Sequence, residues 1–529
     1  MTVRRSKMGL LAIALLAGAC SERAPFWDAA VPPLQAHGLR GGVAIIDAPA
    51  ERAVLLTVDR DLELLPVEVR IGRGFAAAAA SPDGEKLLVL ARGDWPREGP
   101  DEQPPHLMVF DGGPTPSLLD IYQLTDPLSG LAIDPLKRFA VVHAALDDVT
   151  FVQNPNELLV VDLTEPSGPA NPVPITLRSF GGRPERFFFT PPLLLPGGAK
   201  RLLVTQTNRD VALLDLSDLS KPDITVRLTT GPDAVTPIGV AVHDGDEAKD
   251  DDARIALRLV DRPDVVVLDL EAADPSGTSP HAFRVVPNVV DVGGVPGGLA
   301  FARTDGGLRL LAPIPSRSVL ALVDPDSGIA LDFDLGAPFE NVAVITEAAG
   351  GATDGADVAL LWSGASPHVA FVKLGETTST PYKSVERLEL PGPVAAVHDV
   401  PAPNGHLKVL EAPGGENFVV LDLVRRTAAP IVAHAAGTQL TVAPDGLRAW
   451  MSASSRGALA ELDLANLHPR NLTLYRPVSR AYDVARRDGG RALIALHDEG
   501  TLGCTVLDAR EPSMETAREY SAVLLGGSQ

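Results

Sequence analysis

One short pattern of apolar and polar positions recurs along almost the whole chain. Three or four apolar residues, mostly β-branched residues or leucine, lead to an aspartate and then to leucine or a turn residue. Runs of this kind, bounded by turn residues, predict short β-strands. The copies that contain the aspartate are residues 107–111, 158–163, 211–216, 265–270, 319–325, 418–423, 459–464 and 505–509. Residues 371–375 fit with Lys373 in place of the aspartate, and residues 43–47 are interpreted as a degenerate first copy.

The spacing of these strands indicates the architecture. The successive marker positions, 111, 162, 215, 269, 324, 373, 422, 463 and 508, are 41 to 55 residues apart. An internal period of about 40 to 50 residues is typical of β-propeller blades. The markers therefore predict one repetitive body, although a chain of 529 residues would otherwise suggest several domains.

A second pattern opens most units and consists of a short apolar run, a turn and another apolar run. Clear copies have their turns at residues 81–84, 134–135 and 443–446, with Pro, Asp or Gly in each. These residues fix φ, bond locally to the turn backbone or accept positive φ, so the turns are predicted to be hairpins. Each unit then has four antiparallel strands. The marker aspartate ends the third strand, where its carboxylate is expected to accept N–H groups of the following turn.

At these turns the chain resembles the YVTN-type propeller repeats of bacterial surface and periplasmic proteins, whose pattern runs Ser-Pro-Asp-Gly, a strand, a loop and Val-x-Asp-Leu. Residues 81–89 match it well, and residues 247–256 match it poorly. The resemblance implies an all-β fold, a β-propeller of four-stranded antiparallel blades over residues 42–529. We expect a single ring of about 7–10 blades, with two smaller rings as the alternative. The strands between residues 43 and 71 are candidates for closing the ring against the last blade.

Charge and cysteine content narrow the possible functions. The formal net charge is −22, so the protein repels phosphate backbones and nucleic-acid binding is not expected. Only two cysteines occur, which excludes a disulfide framework. One of them, Cys504, lies within a marker strand and is interpreted as a small buried residue. We expect a monomer.

The N-terminal residues explain the other cysteine. A basic start, an apolar run too short to span a bilayer and a small-residue segment lead to Cys20. This arrangement resembles a bacterial lipoprotein signal, although the usual leucine, Leu16, stands four places before the cysteine and not three. The resemblance implies a signal peptide at residues 1–19, a lipidated Cys20 and a flexible tether through residue 41. It implies an outer-membrane lipoprotein of a Gram-negative bacterium, with the body in the periplasm or at the cell surface. An ordinary secretory signal is the alternative.

Catalytic motifs are missing from the sequence. There is no G-x-S-x-G, H-E-x-x-H, C-x-x-C or glycine-rich phosphate loop. His–Asp pairs stand at apparent strand ends, and His243, His398 and Asp399 are the candidates for the mouth of the central channel. Imidazole with carboxylate suits a metal or an acid/base pair. Ordinary strand-end polar residues are the favoured interpretation, because adjacent strand residues point to opposite faces.

The densest acidic run, residues 244–252, suggests a possible calcium site. Asp244, Asp246 and Asp250 supply the oxygen ligands that Ca²⁺ prefers. A solvated loop is the favoured interpretation, because charge runs are usually solvated. No other cofactor is expected.

The long loops differ between units, as is typical of binding surfaces. The longest are residues 93–105, 162–174, 272–281 and 376–384. We therefore expect a membrane-anchored binding scaffold for an envelope protein, peptide or glycan. The alternatives are a propeller hydrolase, which a resemblance to lactonase-like propellers permits, and a purely structural envelope component.

Overall fold

The computed structural model describes the chain from residue 34 to residue 521 with internal gaps. The described residues are 34–95, 99–146, 152, 154–178, 183–207, 209–228, 235–245, 253–273, 279–345, 357–377, 384–412, 415–433, 437, 439–453, 457–497 and 503–521. They form ten four-stranded antiparallel sheets and one small hairpin, which together build a β-propeller. The described helical elements are single 3-10 turns at Ala48–Ala50, Pro315–Arg317 and Leu374–Glu376. Within these residues no helix has the length and apolar character needed to cross a membrane.

Blades 1 to 5 take their strands in chain order, except that a hairpin is inserted in blade 4. Blade 1 contains β1 (Gln35–Leu39), β2 (Gly42–Asp47), β3 (Arg52–Val58) and β4 (Leu64–Arg70), and blade 2 contains β5 (Phe75–Ala80), β6 (Lys86–Ala91), β7 (His106–Asp111) and β8 (Leu118–Gln123). Blade 3 contains β9 (Gly130–Ile133), β10 (Phe139–His143), β11 (Glu157–Asp162) and β12 (Val173–Thr176). Blade 4 contains β13 (Arg186–Phe189), β16 (Leu202–Gln206), β17 (Asp210–Asp215) and β18 (Ile224–Arg227), with the inserted hairpin β14 (Leu193–Leu195) and β15 (Gly198–Lys200). Blade 5 contains β19 (Pro237–His243), β20 (Arg254–Leu259), β21 (Asp264–Ala272) and β22 (Phe283–Asp291).

Blades 6 to 10 follow the same plan without insertion. Blade 6 contains β23 (Ala300–Thr304), β24 (Gly307–Ile314), β25 (Val319–Val323) and β26 (Ala330–Asp334), and blade 7 contains β27 (Asn341–Ile345), β28 (Val358–Trp362), β29 (His368–Lys373) and β30 (Val385–Glu389). Blade 8 contains β31 (Ala396–Asp399), β32 (Leu407–Glu411), β33 (Asn417–Asp422) and β34 (Thr427–Val432). Blade 9 contains β35 (Gln439–Val442), β36 (Arg448–Ala453), β37 (Ala458–Asp463) and β38 (His468–Thr473). Blade 10 contains β39 (Val478–Ala485), β40 (Arg491–His497), β41 (Cys504–Asp508) and β42 (Arg518–Tyr520).

The hydrophobic core is divided among the interfaces between blades. Alternate side chains of a strand point to opposite faces, so Leu87 and Val89 pack against blade 1 while Leu88 and Leu90 pack against blade 3. This burial on both faces explains the continuous apolar runs of the middle strands. In the described residues each of the ten neighbouring pairs of blades has its own apolar cluster, and blades 10 and 1 are such a pair. The blades therefore form one closed ring, and the alternative of two rings is wrong.

Local turn chemistry agrees with the sequence interpretation. Gly84 and Gly446 have φ values of 67° and 68°, as the predicted hairpin turns require. Most marker aspartates lie at the ends of third strands and bond to the next turn: Oδ1 of Asp162 accepts the N–H of Thr164 at 2.9 Å, and Oδ1 of Asp508 accepts that of Arg510 at 2.8 Å. Asp269 is the exception, because it lies within β21 and pairs with Arg254. The predicted structural role of the other marker carboxylates is confirmed.

The first blade differs from the sequence interpretation. Residues 43–47 belong to β2, a second strand, so they are not a copy of the marker strand. The third strand of blade 1 is β3, and the aspartate that follows it, Asp59, accepts the N–H groups of Asp61 and Glu63 at 2.9 and 2.7 Å. The error arose because Asp47 also follows an apolar run. In addition, β1 begins at Gln35, earlier than the predicted start of the propeller at residue 42.

Ring closure uses packing and not strand exchange. Blade 1 is complete with residues 35–70 and blade 10 with residues 478–520, so neither sheet borrows a strand from the other end of the chain. Between them the N–H of Ala485 donates to the carbonyl of Arg40 at 2.7 Å, and the Tyr520 hydroxyl accepts the N–H of Leu64 at 2.9 Å. The early strands do not close the last sheet, because that sheet already has four strands.

Candidate functional site

The histidines and carboxylate predicted at the channel mouth do not form one site. His243 ends β19 in blade 5, where its ring is buried and lies 6.0 Å from the ring of Phe301 in blade 6. His398 lies in β31 of blade 8, and its Nε2 is 2.9 Å from Oε2 of Glu411 in the neighbouring strand. Asp399 is exposed and pairs with Lys408. Two blades separate His243 from His398: His243 packs at the interface between blades 5 and 6, and His398 pairs within blade 8.

The predicted calcium ligands lie mostly outside the described residues. Asp246 and Asp250 are not described, and Asp244 is exposed, with its carbonyl accepting the N–H of Leu194 at 2.7 Å. Among the described residues there is no group of three or more His, Cys, Asp or Glu side chains placed to hold a metal. The calcium site therefore stays a prediction.

Cys504 and His497 are structural residues of blade 10. Cys504 is fully buried in β41, and burial raises the pKa of its thiol to about 12, so it is a poor nucleophile. His497 is buried as well. Its Nδ1 lies 2.7 Å from the carbonyl of Pro477, and its Nε2 lies 2.8 Å from Oγ1 of Thr505. A carbonyl only accepts, so Nδ1–H donates and Nε2 accepts from the threonine hydroxyl.

A cleft between blades 1 and 2 contains the strongest combination of polar and apolar groups. It has a volume of about 540 Å³, and one of the predicted long loops, residues 93–105, contributes to its wall. We call it the blade 1–2 cleft; it is lined by Glu51, Arg70, Gly72, Arg73, Asp94, Asp101, Gln103, Pro104, His106, Met108, Ile121 and Gln123.

Hydrogen bonds from Arg73 to residues of the loop 93–105, and a hydrogen bond next to that loop, hold the polar wall of the cleft. Arg73 Nη1 lies 3.0 Å from each carboxylate oxygen of Asp94, and the Arg73 N–H donates to Oε1 of Gln103 at 2.9 Å. His106 Nδ1 lies 2.9 Å from the carbonyl of Pro104, so this nitrogen carries the proton. Gly72, with φ +82°, gives the His106 ring its space, because a Cβ there would lie 2.4 Å from Cε1.

The apolar wall of the cleft continues onto the outer strand of blade 2. In this strand Leu118, Leu119 and Ile121 are 43%, 54% and 41% exposed. We call β8 (Leu118–Gln123) the blade 2 edge, because no strand among the described residues pairs with its outer side. Exposed apolar edge strands invite pairing with another chain, and proteins usually block them with proline or charge.

The blade 2 edge has a β-bulge at Leu119, but it lacks proline and a free charge. It has no proline, and its one charged residue, Asp120, turns to the loop of blade 3, where it accepts the N–H and the hydroxyl of Ser167, both at 2.7 Å. The other nine described outer strands each carry a proline or an exposed charged side chain: Pro66, Pro174, Arg227, Pro287, Asp332, Arg387, Pro430, Arg470 and Arg518.

A second cavity lies on the other side of the same strand. Its volume is about 630 Å³, and it is lined by Ser167, Gly168 and Pro169 from another predicted contact loop, residues 162–174, together with Ile121 and Gln123. The blade 2 edge is therefore flanked by two cavities, each formed with a long loop. Such an arrangement suits an extended chain that alternates side-chain and backbone contacts.

The solved structures that resemble this chain do so at low sequence identity. No family model and no curated protein sequence matches the chain. The dihydro-heme d1 dehydrogenase NirN in complex with DHE is 14% identical over 84% of this chain and 75% of its own, with a TM-score of 0.37. Apo AztD from Citrobacter koseri is 11% identical over 68% and 87%, with a TM-score of 0.32, and a eukaryotic initiation factor is 10% identical over 93% and 97%, with a TM-score of 0.45. The assignment of the fold rests on the ten sheets themselves.

Proposed function

We propose that this protein is a lipid-anchored binding scaffold of a bacterial cell envelope, and that it holds an extended peptide segment of another envelope protein along the blade 2 edge. The observation that carries the proposal is the exposed apolar edge strand, without proline or free charge, beside the blade 1–2 cleft. A β-propeller supplies a rigid frame for such a surface. Strand addition would provide backbone hydrogen bonds, and the cleft would select side chains.

The apolar part of the interface comes from Leu119 and Ile121. Complete burial of a leucine or isoleucine side chain contributes about 1.5–3 kcal/mol, and roughly half of each remains to be buried here. Two such contacts stabilise a transient complex and leave specificity to polar groups.

The polar part of the interface favours an acidic residue in the bound peptide. Arg70 is exposed at the cleft wall, and its guanidinium forms no ion pair or hydrogen bond with another residue that the structure describes. Its guanidinium fork matches a carboxylate. The favoured segment is therefore extended, with alternating apolar side chains and an acidic residue that reaches Arg70.

A photo-crosslinking experiment in the native envelope tests this binding surface. A photoreactive phenylalanine analogue replaces Ile121, and the matched control replaces Leu331, which is 58% exposed on the outer strand of blade 6. We expect crosslinked partners at position 121 and none at position 331. Equal crosslinking at both positions, or none at position 121, would favour a structural role for the protein.

The anchor is tested separately. A C20S variant is expected to leave soluble protein or an uncut precursor, because the acyl chains that hold the body at the membrane are lost. Cell fractionation with wild-type processing in this variant would contradict the lipoprotein assignment.

A further inference from the structure

The inner strand of blade 5 contains a β-bulge at a position shared by three blades. In the pairing of β19 with β20 the register shifts between Pro237 and Gly239, so Ile238 has no partner in the ladder. Bulges redirect backbone and side-chain groups and are frequent next to functional sites. Here the carbonyl of Ile238 accepts a hydrogen bond of 3.1 Å from Nη1 of Arg186, the first residue of the inner strand of blade 4.

A second arginine reaches the same strand from blade 5. Arg258 pairs with Gly239, and a Cβ at residue 239 would lie 3.2 Å from Nε of Arg258. The glycine therefore leaves room for the side chain to cross the inner strand. Nη1 of Arg258 donates to the carbonyl of Pro296, in the segment that leads into blade 6, at 3.2 Å.

The two arginines are close enough to influence each other and are not neutralised. Burial, and then the positive charge of Arg186, lowers the pKa of Arg258. Neither guanidinium forms an ion pair with a described carboxylate, and Glu185, next to Arg186 in the sequence, makes none with it. Each donates one N–H to a backbone carbonyl, so further donors remain available. This unneutralised pair is unusual in a chain with a net charge of −22.

We propose that Arg186 and Arg258 form an anion site at the inner face of blades 4 to 6, and that it binds a divalent oxyanion of the phosphate or sulfate type. Guanidinium groups bind such oxygens through paired, charge-assisted hydrogen bonds. Two positive charges match two negative charges. The anion supplies the negative charge that no described carboxylate supplies to the two arginines. The site is independent of the blade 2 edge and of the function proposed for it.

Binding of inorganic phosphate to the purified body, residues 21–529, tests the site. Isothermal titration uses wild type, R186Q, R258Q and, as a matched control, R480Q, with sodium chloride as the ionic-strength control. Arg480 is an exposed arginine beside an equivalent bulge in the inner strand of blade 10. We expect phosphate binding to weaken about ten-fold or more in R186Q and in R258Q, and to stay within about two-fold in R480Q.

A parallel titration with a sugar phosphate separates the free ion from a phosphate group on a larger ligand. Tighter binding of the ester assigns the site to an organic ligand, and tighter binding of the inorganic ion assigns it to phosphate itself.

Melting temperatures provide an independent measurement. Without phosphate, R186Q should melt at the wild-type temperature or above it, because the variant removes a repulsion. Phosphate should raise the melting temperature of wild type and R480Q only. The proposal is overturned if phosphate and chloride act alike on wild type, if R186Q binds phosphate normally, or if R480Q weakens binding as much. Because Arg186 is exposed, R186Q is expected to fold normally, and its phosphate binding therefore tests the proposal even if R258Q folds poorly.

Discussion

The outer strands of blades 2 and 7 occupy the same place in the same fold and present opposite surfaces. In blade 7, β30 carries Glu386, whose Oε1 lies 2.7 Å from Nζ of Lys373 and 3.5 Å from Nη1 of Arg426 in blade 8. In blade 2, the residue corresponding to Glu386 is Asp120, which bonds to Ser167 of blade 3, and the residue corresponding to Arg387 is Ile121. The topology leaves both strands with one unpaired side. The two strands differ most where blade 7 has the exposed Arg387 and blade 2 has Ile121, and this difference favours the blade 2 edge for contact with another chain.

The largest effect is expected from closing the open edge. An I121K variant places a charge on the blade 2 edge and should reduce binding of the crosslinked partner by about ten-fold or more, since it removes an apolar contact and protects the strand. Pull-down of that partner by tagged protein measures the effect. L331K on blade 6 is the matched control and should bind normally. Normal binding by I121K would remove the functional difference between the two edges.

An intermediate effect is expected from releasing the loop beside the blade 2 edge. In D120A the loop that contains Ser167 loses two hydrogen bonds to a carboxylate, a local cost of about 1–3 kcal/mol. Hydrogen exchange should become faster in the described segment 163–172 and stay unchanged at blade 7. D332A, which removes an exposed ion pair with Arg317, controls for charge loss. Unchanged protection of segment 163–172 would show that Asp120 does not hold the loop.

The carboxylate of Asp120 should also make the stability of the loop around Ser167 depend on pH. Burial alone would raise the pKa of Asp120, but hydrogen bonds from Ser167 and Ile121 hold it below the usual 3.8. A lowered pKa means that the ionised form stabilises the fold above pH 3.8, and that this stability is lost as the pH falls through the lower value. Protection at Ser167 should therefore decrease below pH 3.8 in wild type, and it should decrease less in D120A.

The smallest effect is expected from the protected edge of blade 7. The hydrogen bond from Lys373, more than any other contact, lowers the pKa of Glu386, so its contribution is present above pH 4.5 and is lost as the pH falls below it. The Glu386 side chain is 38% exposed, so solvent screening limits this contribution to about 0.5 kcal/mol. Melting curves of wild type and E386Q should differ slightly at about pH 7 and converge near about pH 3. A large difference at neutral pH would mean that charge at this edge has a structural role.

The sequence predicts the repeating parts of the fold because their chemistry is local. The apolar run and its aspartate, as at Asp162 and Asp508, contain within about ten residues both the strand and the group that fixes the next turn. Blade 1 was predicted wrongly because Asp47, at the end of β2, imitates the marker, while the true marker, Asp59, follows a strand that ends in Thr-Val.

The sites are harder to predict because they depend on contacts between blades. Arg186 and Arg258 are 72 positions apart, and each approaches the bulged strand β19, whose bulge leaves no trace in the apolar pattern. The net charge of −22 also argued against anion binding, because it sums the charges of the whole chain and does not show a local excess of positive charge. The blade 2 edge could be found by comparing the outer strands of the units, because residues 118–123 combine leucines with the absence of proline. That comparison requires the outer strand of each unit to be known first.

Closure without strand exchange makes every blade a continuous and self-sufficient segment of the chain. Duplication or loss of one segment, from the start of an inner strand to the end of the outer strand, leaves no sheet incomplete. The change alters the circumference of the ring and the tilt between neighbours, and the joint between blades 10 and 1 is made of the same apolar packing as any other interface. The number of blades in this architecture is therefore free to change by whole blades during evolution, because the interface that closes the ring is built like every other interface.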